Sequence, residues 1–315
     1  MKRSLLILAA ALSTASSFAQ GYTMVDSTIA AIGSLDSLNV AKISDTLTSQ
    51  FSDREQKARA IFYWIANNIE PDLRASKSND NKKTLPEEVI MARKTTPLGF
   101  ANLVQEMLSR ANIRCLTVDG YTKRNSGNIG DPPDEPNHAW NVVQLGQSAD
   151  QWYYVDAFLA TGSIDSRYTK FIKKFTGEYF FTDRAVFNLQ HYPDNNAWLF
   201  GPGAKSLKEF YNQPVLYPAG AALGIHLIEP MTGIIKTKLK NPVSFSFRLT
   251  ATTEPQQVYI VTGDERKPDA PLPVKFSYSG GLISFSHQFK RDDEYPVRVV
   301  IDGNVALEYI AVVQE

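Results

Sequence analysis

The sequence predicts an α+β protein in which helices pack on an antiparallel sheet and a β-sandwich follows. Three observations support this prediction. Up to about residue 110, apolar residues recur mainly at helical spacing. Beyond it come short alternating runs typical of strands, and from about residue 228 the chain is all strand and turn. With 315 residues, 43% of them hydrophobic and 21% charged, the chain is long enough to bury a sizeable core.

The N-terminal end has the pattern of a secretory signal peptide. Lys2 and Arg3 precede the short apolar run "SLLILAAALS", and "SFA" supplies small residues at the cleavage position. We therefore expect residues 1–19 to be removed and the protein to be exported, to the periplasm or beyond. No cysteine follows the site, so we do not expect a lipid anchor.

Composition excludes several classes of partner and site. Lysine plus arginine and aspartate plus glutamate each total 33, so no basic field attracts nucleic acid. No later stretch is apolar for long enough to predict a transmembrane segment. The single cysteine, Cys115, forms no internal disulfide and no thiolate metal cluster, and we expect no cofactor.

Helices are predicted for the N-terminal segment 20–50 and for the residues that follow it, up to about residue 110. In "SDREQKARAIFYWIANNIE", Ser52 and Glu55 have capping-box spacing before a helical apolar pattern. "LPEEVIMARK" predicts a short helix. The next helix, "PLGFANLVQEMLSRAN", is expected to have Thr96 as N-cap and Pro97 as first residue, because the fixed φ of proline suits that position.

Strands follow in two groups. "IRCLTVDGYTK", "HAWNVVQL" and "QWYYVDAFLA" alternate, and the last two predict a hairpin around "GQSAD". A Pro- and Gly-rich passage at 201–227 predicts a linker. Residues 228–315 contain six or seven short alternating runs, which favour a β-sandwich of immunoglobulin-like type.

One arrangement of residues is typical of cysteine-nucleophile catalysis. A helix start precedes a strand that opens with His138, and the next strand carries Asp156. In such sites a thiolate lies at a helix N-terminus, a histidine transfers the proton, and a carboxylate orients the imidazole. Taken singly, His138 and Asp156 are more often structural residues.

The segment 51–200 resembles the transglutaminase-like superfamily, which has the papain-like cysteine-protease fold, and especially its kyphoscoliosis-peptidase-like branch. Five blocks carry the resemblance in order: "KARAIFYWIANNIEPD", "RKTTPLGFANLVQEMLSRANIRCLTVDGYTK", "NHAWNVV", "WYYVDAFLATG" and "EYFFTDRAVFNLQHYPDNNAW". The resemblance implies that His138 and Asp156 match the catalytic histidine and aspartate. The nucleophile segment of the family reads R-x-G-V-C-x-G-[YF]-A, and its alignment with "RKTTPLGFA" puts Pro97 at the cysteine.

Three other groups in the sequence could supply chemistry. Cys115 lies within a strand and is expected to be a buried thiol. Thr95 and Thr96 carry hydroxyls, which need stronger activation than a thiol, and capping is their simpler role. His138 and Asp156 alone are too few for a metal site, and His191 lies in a different block, where "HYP" is expected to lock the end of the domain, so no metal is expected.

We therefore expect an exported, non-catalytic protein that binds a protein, peptide or cell-envelope polymer. Thr96, Trp140, Trp152 and Phe158 are the expected binding residues of its cleft. Two alternatives stay open: an active peptidase or protein-glutamine acyl-transferase with an unorthodox nucleophile, and a structural module of an envelope assembly. The sequence alone predicts no oligomeric state.

Overall fold

A computed structural model describes residues 21–148, 151–165, 167–251 and 253–315. The predicted signal peptide, 1–19, lies outside the described residues. Nine helices are described: α1 (Thr23–Ala30), α2 (Val40–Thr48), α3 (Arg54–Asn68), α4 (Leu73–Ser78), α5 (Pro86–Ala92), α6 (Pro97–Arg110), α7 (Arg184–Gln190), α8 (Leu207–Tyr211) and α9 (Pro218–Ala222).

The strands of the N-terminal half are β1 (Glu70–Pro71), β2 (Lys94–Thr95), β3 (Arg114–Thr122), β4 (His138–Gln144), β5 (Trp152–Val155), β6 (Gly162–Ile164), β7 (Phe171–Lys173) and β8 (His191–Pro193). Those of the C-terminal half are β9 (Val215–Leu216), β10 (His226–Glu229), β11 (Ile234–Lys238), β12 (Pro242–Arg248), β13 (Val258–Thr262), β14 (Leu272–Pro273), β15 (Phe276–Ser279), β16 (Leu282–Gln288), β17 (Glu294–Ile301) and β18 (Asn304–Gln314).

A four-stranded antiparallel sheet, in the order β5-β4-β3-β8, forms the centre of the N-terminal half. Helix α6 packs on β3 and β4. The predicted hairpin is present, with Gln144 opposite Trp152. Gly120 in β3 permits a close contact, since a Cβ there would lie 2.4 Å from the ring of Trp140.

The long helix α3 begins one residue later than its predicted capping box implies. Its N-cap is Asp53, whose carboxylate accepts the backbone N–H of Gln56 at 2.9 Å. The capping box of Ser52 and Glu55 is therefore wrong. A carboxylate at the N-cap satisfies the same free amide, and Glu55 instead accepts a hydrogen bond from the hydroxyl of Tyr22.

The N-terminal helical segment shares one core with the helices and sheet that follow it. Val25, Ile43 and Leu47 are buried in the same cluster as Phe62 and Phe100. The described part of this segment, residues 21–50, thus completes the core of the N-terminal unit, which it shares with the first sheet and its helices.

The segment 201–227, predicted as a linker, contains helices α8 and α9 and strand β9. Phe210 and Tyr211 are fully buried against Tyr121 and Tyr192 of the first sheet. Leu216 lies in the core of the C-terminal unit. Apolar side chains from this segment therefore fill space on both sides, which gives it regular structure.

Two sheets form the C-terminal sandwich. One has the order β10-β12-β16-β15, and the other has the order β11-β18-β17-β13-β14 with β9 paired to β18. Inward-facing residues of both sheets, such as Phe245, Phe247, Val297 and Tyr309, share one core. The predicted α+β fold, helices on an antiparallel sheet followed by a sandwich, is confirmed.

Buried polar groups join the two units. Glu308 of β18 is only 3% exposed, and it accepts hydrogen bonds from the backbone N–H of Ser126 at 2.9 Å and the hydroxyl of Tyr217 at 2.8 Å. Lys123 donates from Nζ to the backbone oxygens of Phe210 and Gln213. Burial lowers the pKa of Lys123 to about 7. Glu308 and Lys123 each have their hydrogen-bond partners in another part of the chain. The contact between the N-terminal and C-terminal units is therefore specific.

Among the helices of the described ranges, none is both long enough and apolar enough to cross a bilayer.

A buried ion pair fixes the first helix to the core. Arg59 of α3 donates from Nε and Nη2 to the two carboxylate oxygens of Asp26, at 2.8 and 2.7 Å. The guanidinium side chain is 5% exposed and lies over the rings of Tyr22 and Phe62. Two parallel hydrogen bonds and the aromatic faces stabilise the guanidinium charge.

We predict that Arg59→Ala lowers the free energy of unfolding by about 3 kcal/mol, because it leaves the carboxylate of Asp26 without its partner. Chemical denaturation followed by circular dichroism measures this. Arg110→Ala, which breaks the exposed pair with Glu106, is the matched control and should cost at most about 1 kcal/mol. Equal losses in both variants would contradict the assigned role of the buried pair.

Candidate functional site

Thr96 and Pro97 form the start of helix α6. Thr96 is the N-cap with extended backbone, and Pro97 is the first helical residue, as predicted. The hydroxyl of Thr96 does not cap the helix; it donates to Oδ1 of Asn81 at 2.6 Å. Gly99 is required here, since a Cβ would lie 1.9 Å from Oγ1 of Thr95. Pro97, at the start of this helix, has neither a reactive side-chain atom nor a backbone N–H.

His138 and Asp156 form a buried hydrogen-bonded pair. His138 opens β4, and its Nε2 lies 2.6 Å from Oδ2 of Asp156, the residue after β5. The two side chains are 4% and 1% exposed. The other carboxylate oxygen of Asp156 accepts the backbone N–H of Leu159 at 2.9 Å. The carboxylate thus fixes the orientation of the imidazole ring.

The structure adds a third residue, His191, to this pair. Its Nε2 lies 3.0 Å from the same Oδ2 of Asp156, and its Nδ1 lies 3.1 Å from the backbone oxygen of Phe187. The sequence interpretation left His191 outside the site because it lies in a later block. Strand β3 pairs with β4 on one side and β8 on the other, with Gly120 opposite His138 and Thr122 opposite His191. Only the strand order brings the two histidines together, and no local motif indicates it.

The carboxyl group of Asp156 is held in its charged form. Burial by itself raises its pKa, but the interactions with His138, followed by those with His191, outweigh burial and hold the pKa below its usual range. Burial lowers the pKa of His191, against the opposing effect of Asp156. The cluster is therefore a buried carboxylate between two imidazoles.

His138, Asp156 and His191 are also the described residues whose ligand atoms converge enough to be tested as a metal site. Two ligands of one ion, each at about 2.0–2.2 Å, lie roughly 3 Å or more apart. The 2.6 Å between Nε2 of His138 and Oδ2 of Asp156 is shorter than this and fits a charge-assisted hydrogen bond. This arrangement does not fit a bound metal.

Cys115 lies far along the sheet from His138. It is opposite Val143 in the sheet, five residues along β3 from the pair of Gly120 and His138, roughly 17 Å at the usual strand rise. Burial raises the pKa of its thiol, which disfavours the reactive thiolate. The hydroxyls of Thr95 and Thr96 donate to Lys83 and Asn81. None of these three groups is hydrogen-bonded to His138.

Pro97 and His138 line the same small cavity. It has a volume of about 30 Å³ and is bordered also by Asn79, Asn81 and Asn137. Asn81 donates to Asn79, and Asn79 donates to the backbone oxygen of Pro136, so side chains bridge its mouth. A cavity of this size accommodates about one water molecule.

The four residues predicted to bind a ligand are all internal. Thr96 is 3% exposed, Trp140 1%, Trp152 8% and Phe158 5%. Phe158 packs edge-to-face against both Phe100 and His138. Trp140 and Trp152 belong to a core cluster on the sheet. These side chains therefore pack in the core and not at an open surface. A ligand would instead contact the polar residues at the cavity mouth.

Comparison with known proteins gives a family for this architecture. Residues 41–157 match the transglutaminase-like superfamily, a range that includes Pro97, His138 and Asp156. Kyphoscoliosis peptidase of Mus musculus is 31% identical over 222 residues, which are 67% of this chain and 33% of the relative. The Homo sapiens protein is 32% identical over 196 residues, 62% of this chain and 29% of the relative. The matched segments thus span about a third of each relative.

Among solved structures, a candidate protease from Parabacteroides distasonis is 11% identical, with 91% of this chain and 57% of that chain covered and a TM-score of 0.29. This similarity is too low to carry an argument about fold or activity. The sequence relatives and the family match are stronger. The chain therefore carries a transglutaminase-like domain of the kyphoscoliosis-peptidase branch.

Proposed function

We propose that this is a non-catalytic transglutaminase-like protein that is exported and binds a protein, peptide or cell-envelope polymer. The observation that carries the proposal is Pro97 at the start of α6, in one cavity with His138. In this proposal Pro97 occupies the position where the family places its nucleophilic cysteine.

Proline at this position lacks two groups that a cysteine would supply for catalysis. It lacks the thiol that would attack a carbonyl carbon. It also lacks a backbone N–H, which at a helix start is a donor able to stabilise a developing oxyanion. The scaffold has no dependence on the thiol, because proline at the first helical position keeps the helix start intact. The buried pair of His138 and Asp156 persists because removing either partner leaves an unsatisfied polar group.

The proposed binding site is the mouth of the cavity rather than its interior. Asn79, Asn81, Asn137 and Asp119 surround the opening with amide and carboxylate groups. Asn79 and Asp119 are exposed. A ligand larger than a water molecule must displace the hydrogen bond of Asn79 to Pro136, which crosses the opening.

The small volume of the cavity favours a second candidate, a structural module of an envelope assembly that takes no ligand in the cleft. Its interactions would then use the sandwich. The active peptidase or acyl-transferase is the weaker alternative, since it needs a nucleophile beside His138. Export is proposed from the N-terminal charged and apolar pattern at 1–19.

For catalysis, we predict that the mature protein hydrolyses peptides and transfers acyl groups from glutamine no faster than His138→Ala does. Peptide and amine-incorporation assays measure this. His226→Ala, in the sandwich, is the matched control for loss of a histidine. Activity that disappears in His138→Ala and persists in His226→Ala would overturn the non-catalytic assignment.

For binding, we predict that Asn81→Arg weakens capture of the envelope partner about fivefold, roughly 1 kcal/mol, because the larger cation blocks the cavity mouth. Tagged mature protein is cross-linked in an envelope preparation and captured, and the recovered partner is quantified. Asn304→Arg, on the exposed hairpin of the sandwich, is the matched control. If only Asn304→Arg lost capture of the partner, the binding role would belong to the sandwich. If the wild type captured no specific partner, the structural module would be favoured.

A further inference from the structure

His191 is a buried ionisable side chain to which the proposed function gives no role. Its side chain is 0% exposed, and it stacks on Phe187 with ring centroids 3.7 Å apart. Trp140 packs edge-on against it at 5.1 Å. Both ring nitrogens make polar contacts, so their donor and acceptor roles are fixed by their partners.

Both partners of His191 are acceptors. The backbone oxygen of Phe187 has only lone pairs to offer to Nδ1, at 3.1 Å. The carboxylate oxygen of Asp156 has only lone pairs to offer to Nε2, at 3.0 Å. A neutral imidazole has one N–H and one nitrogen without a proton. In either tautomer, the lone pair of the unprotonated nitrogen would point at a lone pair of an acceptor oxygen. The observed geometry is satisfied when both nitrogens carry protons.

Charge balance also favours a positive charge on one of the two histidines. With a charged Asp156 and two neutral histidines, a group of side chains at most 4% exposed would carry a net negative charge. A charge without an opposite partner is costly in such surroundings. The pKa of His191 is lowered, by burial first and also by a charge on His138, although Asp156 and the backbone oxygen of Phe187 act in the opposite direction. The two acceptors and the charge of Asp156 both favour the protonated form, and we give them more weight because they act on the ring directly.

The neighbouring ionisable groups do not supply the missing positive charge. Those that act on the cluster are His138, Asp156 and Tyr179. Burial raises the pKa of Tyr179, which keeps its phenol neutral. Trp140 and Phe187 have no titratable group. Within the described part of the chain, the positive charge must therefore come from one of the two histidines.

We propose that His191 is a positioning residue: it holds the proton as an imidazolium, fixes Asp156, and leaves His138 neutral with Nδ1 as a hydrogen-bond acceptor. Since Nε2 of His138 donates to Asp156, Nδ1 is the remaining polar atom of a ring that lines the cavity with Pro97. This inference rests on the proposed binding function: a ligand at the cavity mouth that displaces the hydrogen bond of Asn79 to Pro136 is expected to present a donor to this nitrogen, such as an amide or amine N–H or a hydroxyl.

Nitrogen NMR of the mature protein labelled with ¹⁵N-histidine tests the proposal without any ligand. Four histidines give four ring patterns, which single replacements assign. At pH 7 we expect the pattern with both nitrogens protonated for His191, and the neutral pattern with only Nε2 protonated for His138. A neutral ring for His191 would overturn the proposal.

The variant His191→Gln tests positioning separately from packing. Without the cation at residue 191, we expect His138 to take up the second proton at pH 7 and show the doubly protonated pattern. His287→Gln, in the sandwich, is the matched control and should leave His138 unchanged. An unchanged His138 in a folded His191→Gln would show that His191 only packs. If that variant does not fold, the spectrum of the wild type still decides the proposal. Because no ligand is present, either outcome is independent of the capture experiment that tests binding.

Discussion

The carboxylate of Asp156 is the interaction on which the first unit of this protein depends. One of its oxygens contacts His138 at the start of β4 and His191 at the start of β8, and the other accepts the N–H of Leu159. Strand β3 lies between the two histidine strands. One buried charge therefore ties together three chain segments that are distant in sequence. Such a charge is tolerated only when its hydrogen bonds are complete, so each of these partners constrains the others.

The helix start beside this cluster is less constrained. An α-helix needs a residue with suitable backbone at its first position, and Pro97 meets this need. Catalysis needs a thiol and a donor at the same position, and Pro97 meets neither need. At residue 97 the helix can therefore keep its start without a residue able to catalyse. At His138 and Asp156 the side chains that catalysis would use also satisfy the buried hydrogen bonds of the fold. Under the proposal of a non-catalytic protein, this difference explains how the fold is kept without a nucleophile at residue 97.

The sequence predicts well what depends on local pattern. Periodic apolar residues predicted the helices and strands around the site, and proline chemistry predicted Thr96 and Pro97 at the start of α6. Features that depend on strand order or three-dimensional packing were not predicted. His191 joins the site only through the pairing of β3 with β8. Trp140 and Phe158 were expected at a binding surface, but aromatic side chains next to a histidine pack into the core when the sheet is covered by helices. The linker prediction rested on proline and glycine content and missed the apolar residues that the segment buries.

The most direct test of the account is the reactivity of a thiol placed at residue 97. In Pro97→Cys, the rate of alkylation by iodoacetamide is measured against pH, with the wild type reporting the background from buried Cys115. If residue 97 is the nucleophile position, the new thiol should react well below the usual thiol pKa of about 8.5, and His138→Ala in the same background should abolish this acid-range reactivity. An ordinary thiol titration that His138→Ala leaves unchanged would contradict the account.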